Sequence, residues 1–211
     1  MNSNGQFITI EGIDGAGKST QIVCIQEWCK EKKIELVTTR EPGGTKTGEK
    51  IRRWLLDACG DISLETEILL MFAARQQHLQ EVILPAIQAG KWVVSDRFTD
   101  ATYAYQGGGR GGSRFKIRQL ERWVQGSFKP HLSLFFDLPV DVALQRLSST
   151  PKDRIESEGY AFFQRVREEY LELAKNNADR CHVISSDQPL ECIKREVMYS
   201  LDLLLKKLDR I

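Results

Sequence analysis

The sequence predicts an α/β fold, a three-layer arrangement in which helices flank a five-stranded, mainly parallel sheet. Three observations point there. Short apolar runs that read as strands alternate with longer stretches of helical period. Those runs are apolar on both faces, as strands between two helix layers must be. A glycine-rich string joins the first run to the first helix. The 211 residues suit a single domain over 1–211, long enough to bury roughly 70% of its unfolded surface without disulfide or metal staples.

The strand-like runs are Phe7–Ile10, Leu36–Thr39, Trp92–Ser95, Leu132–Phe136 and His182–Ile184. Between them, helical spacing runs from Lys18 to about Lys32, from Lys46 to about Leu56, and from Ser63 to near Gly90 in one long helix. Glu65 and Glu67 stand in the first turn of the long helix, where negative charge favours its N-terminus. Pro139 and Pro189 follow strands and mark helix starts. The last helix, Leu190 to Leu208, carries Ile193, Val197, Leu201, Leu204 and Leu208 as one apolar stripe. Two segments read as loops. Gln106 to Gly112 holds five glycines in seven residues, and Ser148 to Gly159 is polar with mixed charge.

Composition excludes several function classes. The 30 basic and 29 acidic residues give a net charge of +1, which argues against a surface that tracks a nucleic-acid backbone. It does not argue against a small polyanion held by a few cations. The longest apolar stretch, Ile68 to Ala74, is far short of the roughly 20 residues that span a bilayer, so no membrane association is expected. The opening MNSNGQFITI lacks the pattern of a signal peptide, and a cytoplasmic location is the expectation. Five scattered cysteines without a Cys-x-x-Cys pair read as reduced thiols rather than disulfides or a zinc site.

The string Gly12, Ile13, Asp14, Gly15, Ala16, Gly17, Lys18, Ser19 satisfies G-x-x-x-x-G-K-[ST] between a strand and a helix, the context a P-loop requires. Glycines let the backbone N–H groups converge on phosphate oxygens at the positive end of the new helix. Lys18 then bridges terminal phosphates and the Ser19 hydroxyl ligates Mg²⁺. The third strand closes on Asp96, a Walker B carboxylate beside the metal, and Arg97 adds a cation for a transferring or accepting phosphate. Arg40, Glu41 and Pro42 follow the second strand, at the sheet edge where ligands gather. Phe72 and Arg75 share a helix face, which suits a base and its phosphate, although periodicity alone favours a core ring beside a surface cation. The guanine-reading Asn-Lys-x-Asp string is absent, and the D-x-x-G match at Asp57 to Gly60 sits at a helix end. A compact P-loop domain with extra polar loops points to a kinase of small molecules.

Five segments resemble the bacterial thymidylate kinase family in order and spacing: Glu11–Thr20, Thr39–Thr45, Leu69–Arg75, Asp96–Gly111 and Asp153–Ala174. The resemblance implies a P-loop kinase that moves the γ-phosphoryl of ATP to dTMP with Mg²⁺, as a homodimer in dTTP biosynthesis. It implies that residues 12–20, Thr20 included, hold ATP and that Asp14 lies near the dTMP 3′-hydroxyl. Glu41 and Pro42 fall beside the acceptor. Phe72 is expected to stack on thymine, with Met71 as the other candidate, and Arg75 to contact the base or the surroundings of the accepting phosphate. Arg97 resembles the arginine on the dTMP phosphate, and Thr102, Tyr105 and Gln106 fall where the family reads the thymine edge. Residues 148–159 match the family's mobile lid. Gly15 stands where some members carry a P-loop arginine, so the chain resembles the lid-arginine type. Arg154 is then the cation on the transferring phosphoryl, with Lys152 and Arg146 nearby; pairing of Lys152 and Arg154 with Asp153, Glu156 and Glu158 is the alternative.

Two further functions stay open on residues alone. A kinase of another nucleoside or nucleotide needs a carboxylate base for a hydroxyl acceptor, and Glu41 is available. A non-catalytic P-loop switch would bind nucleotide without an acceptor.

Overall fold

Five strands, β1 (Phe7–Glu11), β2 (Leu36–Arg40), β3 (Trp92–Asp96), β4 (Leu132–Asp137) and β5 (Cys181–Ser185), pair in parallel in the order β2-β3-β1-β4-β5. This computed structural model describes residues 5–57, 62–147, 154–155 and 157–208. Every strand anticipated from the sequence is present, and each runs one residue further at its carboxyl end. The added residues are Glu11, Arg40, Asp96, Asp137 and Ser185. Apolar patterning stops one residue early because each strand ends on a polar residue.

Alternation along the strands sorts the core into two layers. Ile8, Ile10, Trp92 and Val94 pack with Ile25 and Trp28 of α1 (Lys18–Glu31) and with Val197 and Leu201 of α9 (Leu190–Leu208). Phe7 and Val93 point the other way, onto Leu79, Ile83 and Phe98. Phe135 meets Tyr170 of α8 (Tyr160–Asn176) edge to face, with ring centroids 5.3 Å apart. Strand order turns back at β1, which has β3 on one side and β4 on the other. In open parallel sheets such a switch point opens a crevice at the carboxyl ends.

Among the other helices, α2 (Lys46–Leu56) starts on Thr45, whose side chain accepts from Gly48 N–H. The long helix from Ser63 is not uniform. It runs as α3 (Leu64–His78), a π turn (Leu79–Ile83) and α4 (Leu84–Gln88). Pro85 lacks an N–H and its ring excludes the carbonyl four residues earlier, so the π turn accommodates it without ending the helix.

The glycine-rich segment is not an irregular loop. After α5 (Thr99–Thr102), residues Tyr103–Gly109 form a π turn that packs on α8. A Cβ at Gly108 would lie 2.7 Å from Glu169 Cβ, and one at Gly109 would lie 2.5 Å from Phe162. These glycines serve close approach of two helical backbones, while Gly111 alone in the run has a positive φ, 71°. α6 (Arg114–Gln125) and α7 (Val140–Leu147) complete the set. No helix among the described residues is long and apolar enough to cross a membrane. The four cysteines described (Cys24, Cys29, Cys181, Cys192) are free.

Residues 58–60 of the D-x-x-G match lie outside the described residues, as do 148–153 and 156 of the expected lid. Lys152, Asp153 and Glu156 are therefore not placed.

Candidate active site

The loop between β1 and α1 curls through three left-handed glycines, Gly12 (φ +132°), Gly15 (φ +83°) and Gly17 (φ +81°). At Gly12 a Cβ would stand 2.5 Å from the Phe136 carbonyl, so β4 packs directly on the loop. Lys18 Nζ donates to the carbonyls of Gly12 (3.1 Å) and Ile13 (2.9 Å) and lies 3.8 Å from Asp14 Oδ1. Burial, and then Arg97, lower its pKa, while Asp14, Asp96 and Glu11 oppose the shift. Ser19 and Thr20 stand exposed on the first turn of α1. Arg146 on α7 donates to the Gly15 carbonyl at 3.1 Å, which brings a guanidinium against the loop.

Beside this loop an open cleft is lined by Asp14, Glu41, Pro42, Met71, Arg97, Tyr105, Gln106 and Arg154, among others. Arg97 follows β3 in a left-handed conformation (φ 70°), unusual for a side chain of its size. Its backbone is held from several sides. Arg97 N–H donates to Ile10 O (3.0 Å), Ser95 Oγ donates to Arg97 O (2.7 Å), and Phe98 N–H donates to Glu11 Oε1 (2.9 Å). The turn aims the guanidinium at the loop. Arg97 Nη2 donates to Asp14 Oδ1 (2.5 Å) and to Tyr105 OH (2.9 Å), and Tyr105 OH donates to Asp14 Oδ2 (3.0 Å).

Electrostatics follow from that packing. Burial alone would raise the Asp14 pKa; the Arg97 and Lys18 cations, with hydrogen bonds from Arg97 and Tyr105, outweigh it and hold the carboxyl well below the usual range. Glu11 behaves in the opposite way. Burial, reinforced by Asp100, pushes its carboxyl up to about 8, while the Tyr170 hydroxyl donates to Oε2 at 3.0 Å. Asp96 Oδ1 is buried without a hydrogen-bond partner among the described residues.

A second buried network backs the cleft. Arg75, fully buried, donates from Nε to Glu41 Oε2 (2.8 Å) and from Nη2 to Thr102 Oγ1 (2.9 Å) and Phe98 O (3.2 Å). His78 Nδ1 lies 2.9 Å from the other Glu41 oxygen, and His78 Nε2 lies 2.6 Å from Thr39 Oγ1. Arg75 Nη1 has no hydrogen-bond partner among the described residues.

A family model described as thymidylate kinase matches residues 10–197. The chain belongs to the thymidylate kinase family. It is 52% identical over 198 residues to the thymidylate kinase of Nitrosospira multiformis, covering 93% of this chain and 97% of that one. It is 50% identical over 204 residues to the thymidylate kinase of Chromobacterium violaceum, covering 96% of each chain. A crystal structure of thymidylate kinase from Ehrlichia chaffeensis matches the fold with a TM-score of 0.76 at 34% identity, covering 94% of this chain and 99% of that chain.

Within this thymidylate kinase fold the residues singled out from sequence fall into two groups. Asp14, Glu41, Pro42, Arg97, Tyr105, Gln106 and Arg154 converge on the cleft. Phe72, Arg75 and Thr102 do not line it. Phe72 is 1% exposed and packs with Ile68 and Ile117, with the Arg75 guanidinium 4.7 Å from its ring centroid. The expectation that Phe72 faces a ligand is corrected here. One residue along a helix turns the side chain by about 100°, and Met71 takes the cleft-facing direction.

Arg154 also departs from expectation. Its Nε donates to Leu55 O (2.9 Å) and its Nη2 to Glu67 Oε2 (2.5 Å), whereas Glu158 pairs with Arg110 (2.9 Å). Arg154 thus binds a buried carboxylate on α3 rather than Glu158 in its own segment. Sequence reasoning missed His78 and treated Glu67 as a helix-end charge. No local pattern marks either; only the fold shows that both are buried beside the cleft.

Proposed function

We propose that the chain transfers the γ-phosphoryl of ATP to dTMP, giving ADP and dTDP, by in-line displacement. The observation that carries this reading is the meeting of Asp14, Arg97 and Tyr105 in a cleft that opens directly beside the phosphate loop. Residues 12–20 cradle the ATP phosphates, and Lys18 leaves its two loop carbonyls for the terminal phosphates. Arg97 holds the dTMP phosphate in line. Asp14 keeps that guanidinium aimed and lies near the 3′-hydroxyl. A dTMP phosphate oxygen attacks the γ-phosphorus as the bond to the ADP oxygen breaks. That nucleophile is already anionic, so no general base is required and catalysis consists of positioning and charge neutralisation.

Base recognition uses what the protein leaves unpaired. Gln106 lines the cleft, and its Oε1 is an acceptor without a hydrogen-bond partner among the described residues. The thymine edge presents the complement, an N–H at N3. Arg75, buried behind the cleft wall, acts by holding Glu41, which does line it. Met71 supplies the apolar contact with the ring in place of Phe72. Thr102 acts through Arg75, which it helps to hold.

The residues fit a Mg²⁺ ion carried on nucleotide phosphates, which needs only one or two protein oxygens. The unpartnered Asp96 Oδ1 and the exposed Ser19 hydroxyl are hard oxygen donors of that kind. Held there, the ion would supply neutralisation of the nucleotide's phosphate charge.

A hydroxyl-phosphorylating kinase with Glu41 as base is disfavoured, because both Glu41 oxygens are engaged by Arg75 and His78. Leu69 of α3 and Phe115 of α6 line one apolar groove, with Trp123 of α6 also exposed. A second copy of the chain covers this face in the proposed homodimer. Phe115→Glu should then halve the mass seen by light scattering.

The decisive experiment measures ADP release with ATP and Mg²⁺ plus each pyrimidine nucleoside or nucleoside monophosphate. dTMP should support turnover well above the others, and a folded Lys18→Ala protein should lose it. Acceptor-independent hydrolysis, or turnover unaffected by Lys18→Ala, would overturn the assignment.

A further inference from the structure

Glu67 is a carboxylate at 1% exposure in the first turns of α3, in the wall of the cleft. A buried carboxylate costs several kcal/mol unless it is paired and hydrogen-bonded. Here the pairing is complete. Oε1 accepts from Gln106 Nε2 at 2.7 Å with Arg110 Nε 3.4 Å away, and Oε2 accepts from Arg154 Nη2 at 2.5 Å. Two hydrogen-bond donors, Gln106 and Arg154, and the Arg110 cation therefore converge on one side chain that the mechanism above does not use.

The bond to Gln106 has a directional consequence. A side-chain amide has a donor end and an acceptor end, whereas a carboxylate only accepts. Glu67 therefore fixes Nε2 toward itself and leaves Oε1 as the free end of Gln106, which is 2% exposed and lines the cleft. Oε1 has no partner among the described residues. Among the described residues the Gln106 amide has this one side-chain hydrogen bond, and reversal would place an oxygen against the carboxylate.

We infer that Glu67 is a positioning residue for base specificity: through its bond to Nε2 it holds the Gln106 carbonyl as an acceptor, which favours a pyrimidine with an N–H at ring position 3 over one with a lone pair there. This rests on the dTMP reading above and extends it to Glu67, which sits in the wall of the same cleft and acts on the base through Gln106. Thymine offers N3–H to Gln106 Oε1. Cytosine offers N3 as an acceptor, and two lone pairs then face each other in a buried site. Buried polar groups left unpaired are the strongest source of discrimination between similar substrates.

Glu67→Gln tests this, because an amide at position 67 donates as well as accepts and frees Gln106 to turn over. Kinetics on the full chain with dTMP and with dCMP should show the dTMP:dCMP ratio of kcat/KM falling by about tenfold or more. The ratio is the informative quantity. Release of Arg154 or general loosening would lower both substrates together and leave it unchanged. In the double variant with Gln106→Leu, the ratio should be no lower than in Gln106→Leu alone, as expected when two residues act as one unit. Should Glu67→Gln fail to fold, Glu67→Asp keeps the charge between Arg110 and Arg154 but withdraws it by one methylene, and the ratio should fall in the same direction. An unchanged ratio in a folded Glu67 variant, or losses that multiply in the double variant, would overturn the inference alone. A wild-type chain inactive on dTMP would overturn the functional reading and this inference with it.

Discussion

Asp14 and Arg97 lie 83 residues apart, yet Arg97 Nη2 donates to Asp14 Oδ1 at 2.5 Å. The contact exists because β1 and β3 are neighbours and because the left-handed turn at Arg97 swings its guanidinium over the phosphate loop. Asp14→Asn keeps the shape and removes the charge. We expect kcat/KM for dTMP to fall about a hundredfold, as loss of a charge-assisted positioning contact implies, with KM for ATP changing less. The stability effect has a defined sign. The folded-state pKa of Asp14 is depressed, so its contribution is complete above the ordinary value of 3.8 and is lost as pH falls below it. Wild type and variant should converge in denaturant midpoint under acid conditions and differ near neutrality.

Arg154 offers a test of how the lid segment contributes. Its guanidinium lines the same cleft as Asp14 and Arg97 while bonded to Glu67 and Leu55 O. If it serves the transferring phosphoryl, Arg154→Ala lowers kcat about tenfold or more while KM for dTMP changes little. That is the expected outcome. A rise in KM for dTMP with kcat preserved would confine Arg154 to the Glu67 contact.

How much of this was legible in the sequence depends on the kind of signal. Strand centres such as Val93 and Val94 are apolar on both faces and were readable; their ends were not, because Asp96 is a charged, only partly buried residue that still belongs to the strand. The phosphate loop was readable because its chemistry needs contiguous residues. Glu41, Arg75 and His78 form one buried cluster from two segments, and no spacing rule anticipates that the two carboxylate oxygens go to different partners. Phe72 was misread for a related reason. Aromatic character suggests a base contact, whereas the helix phase decides whether the ring meets the cleft or Ile117. The glycine-rich run reads as a loop in the sequence, whereas Gly108 and Gly109 serve contact with α8.

Glu41 therefore acts as a structural anchor, and its variant should behave as one. Glu41→Gln retains an acceptor for one neighbour and loses the charge that balances the fully buried Arg75. Breaking a buried pair of this kind costs about 3–5 kcal/mol, so the thermal midpoint should drop. Arg75 loosens with it, and KM for dTMP should rise by about tenfold, since that residue backs the base. The shape of the pH–rate profile should not change. Loss of its acidic limb would instead mark Glu41 as a general base and revive the hydroxyl-kinase reading.

Glu11 supplies a pH signature of the opposite sign to Asp14. It is fully buried at the end of β1, accepts Phe98 N–H on Oε1 and the Tyr170 hydroxyl on Oε2, and faces Asp100, Arg97 and Asp96. Burial and Asp100 raise its pKa to about 8 from 4.5, against the pull of Tyr170 and Arg97. A raised folded-state value means the fold holds a proton that the unfolded chain releases. Its contribution is thus fully present below 4.5 and is lost progressively as pH climbs toward about 8. Glu11→Gln has no such proton, while its carbonyl still accepts from Phe98 and its amide donates to Tyr170. Urea midpoints of both proteins between about pH 5 and about pH 8 should diverge steadily in favour of the variant, every other titrating group being common to the two. Because Arg97 keeps its backbone support through Phe98, kcat/KM for dTMP should stay within about twofold, whereas Glu11→Leu, which cannot accept from Phe98 N–H, should lower it. Parallel midpoint curves would show that Glu11 ionises in the fold as readily as in the unfolded chain.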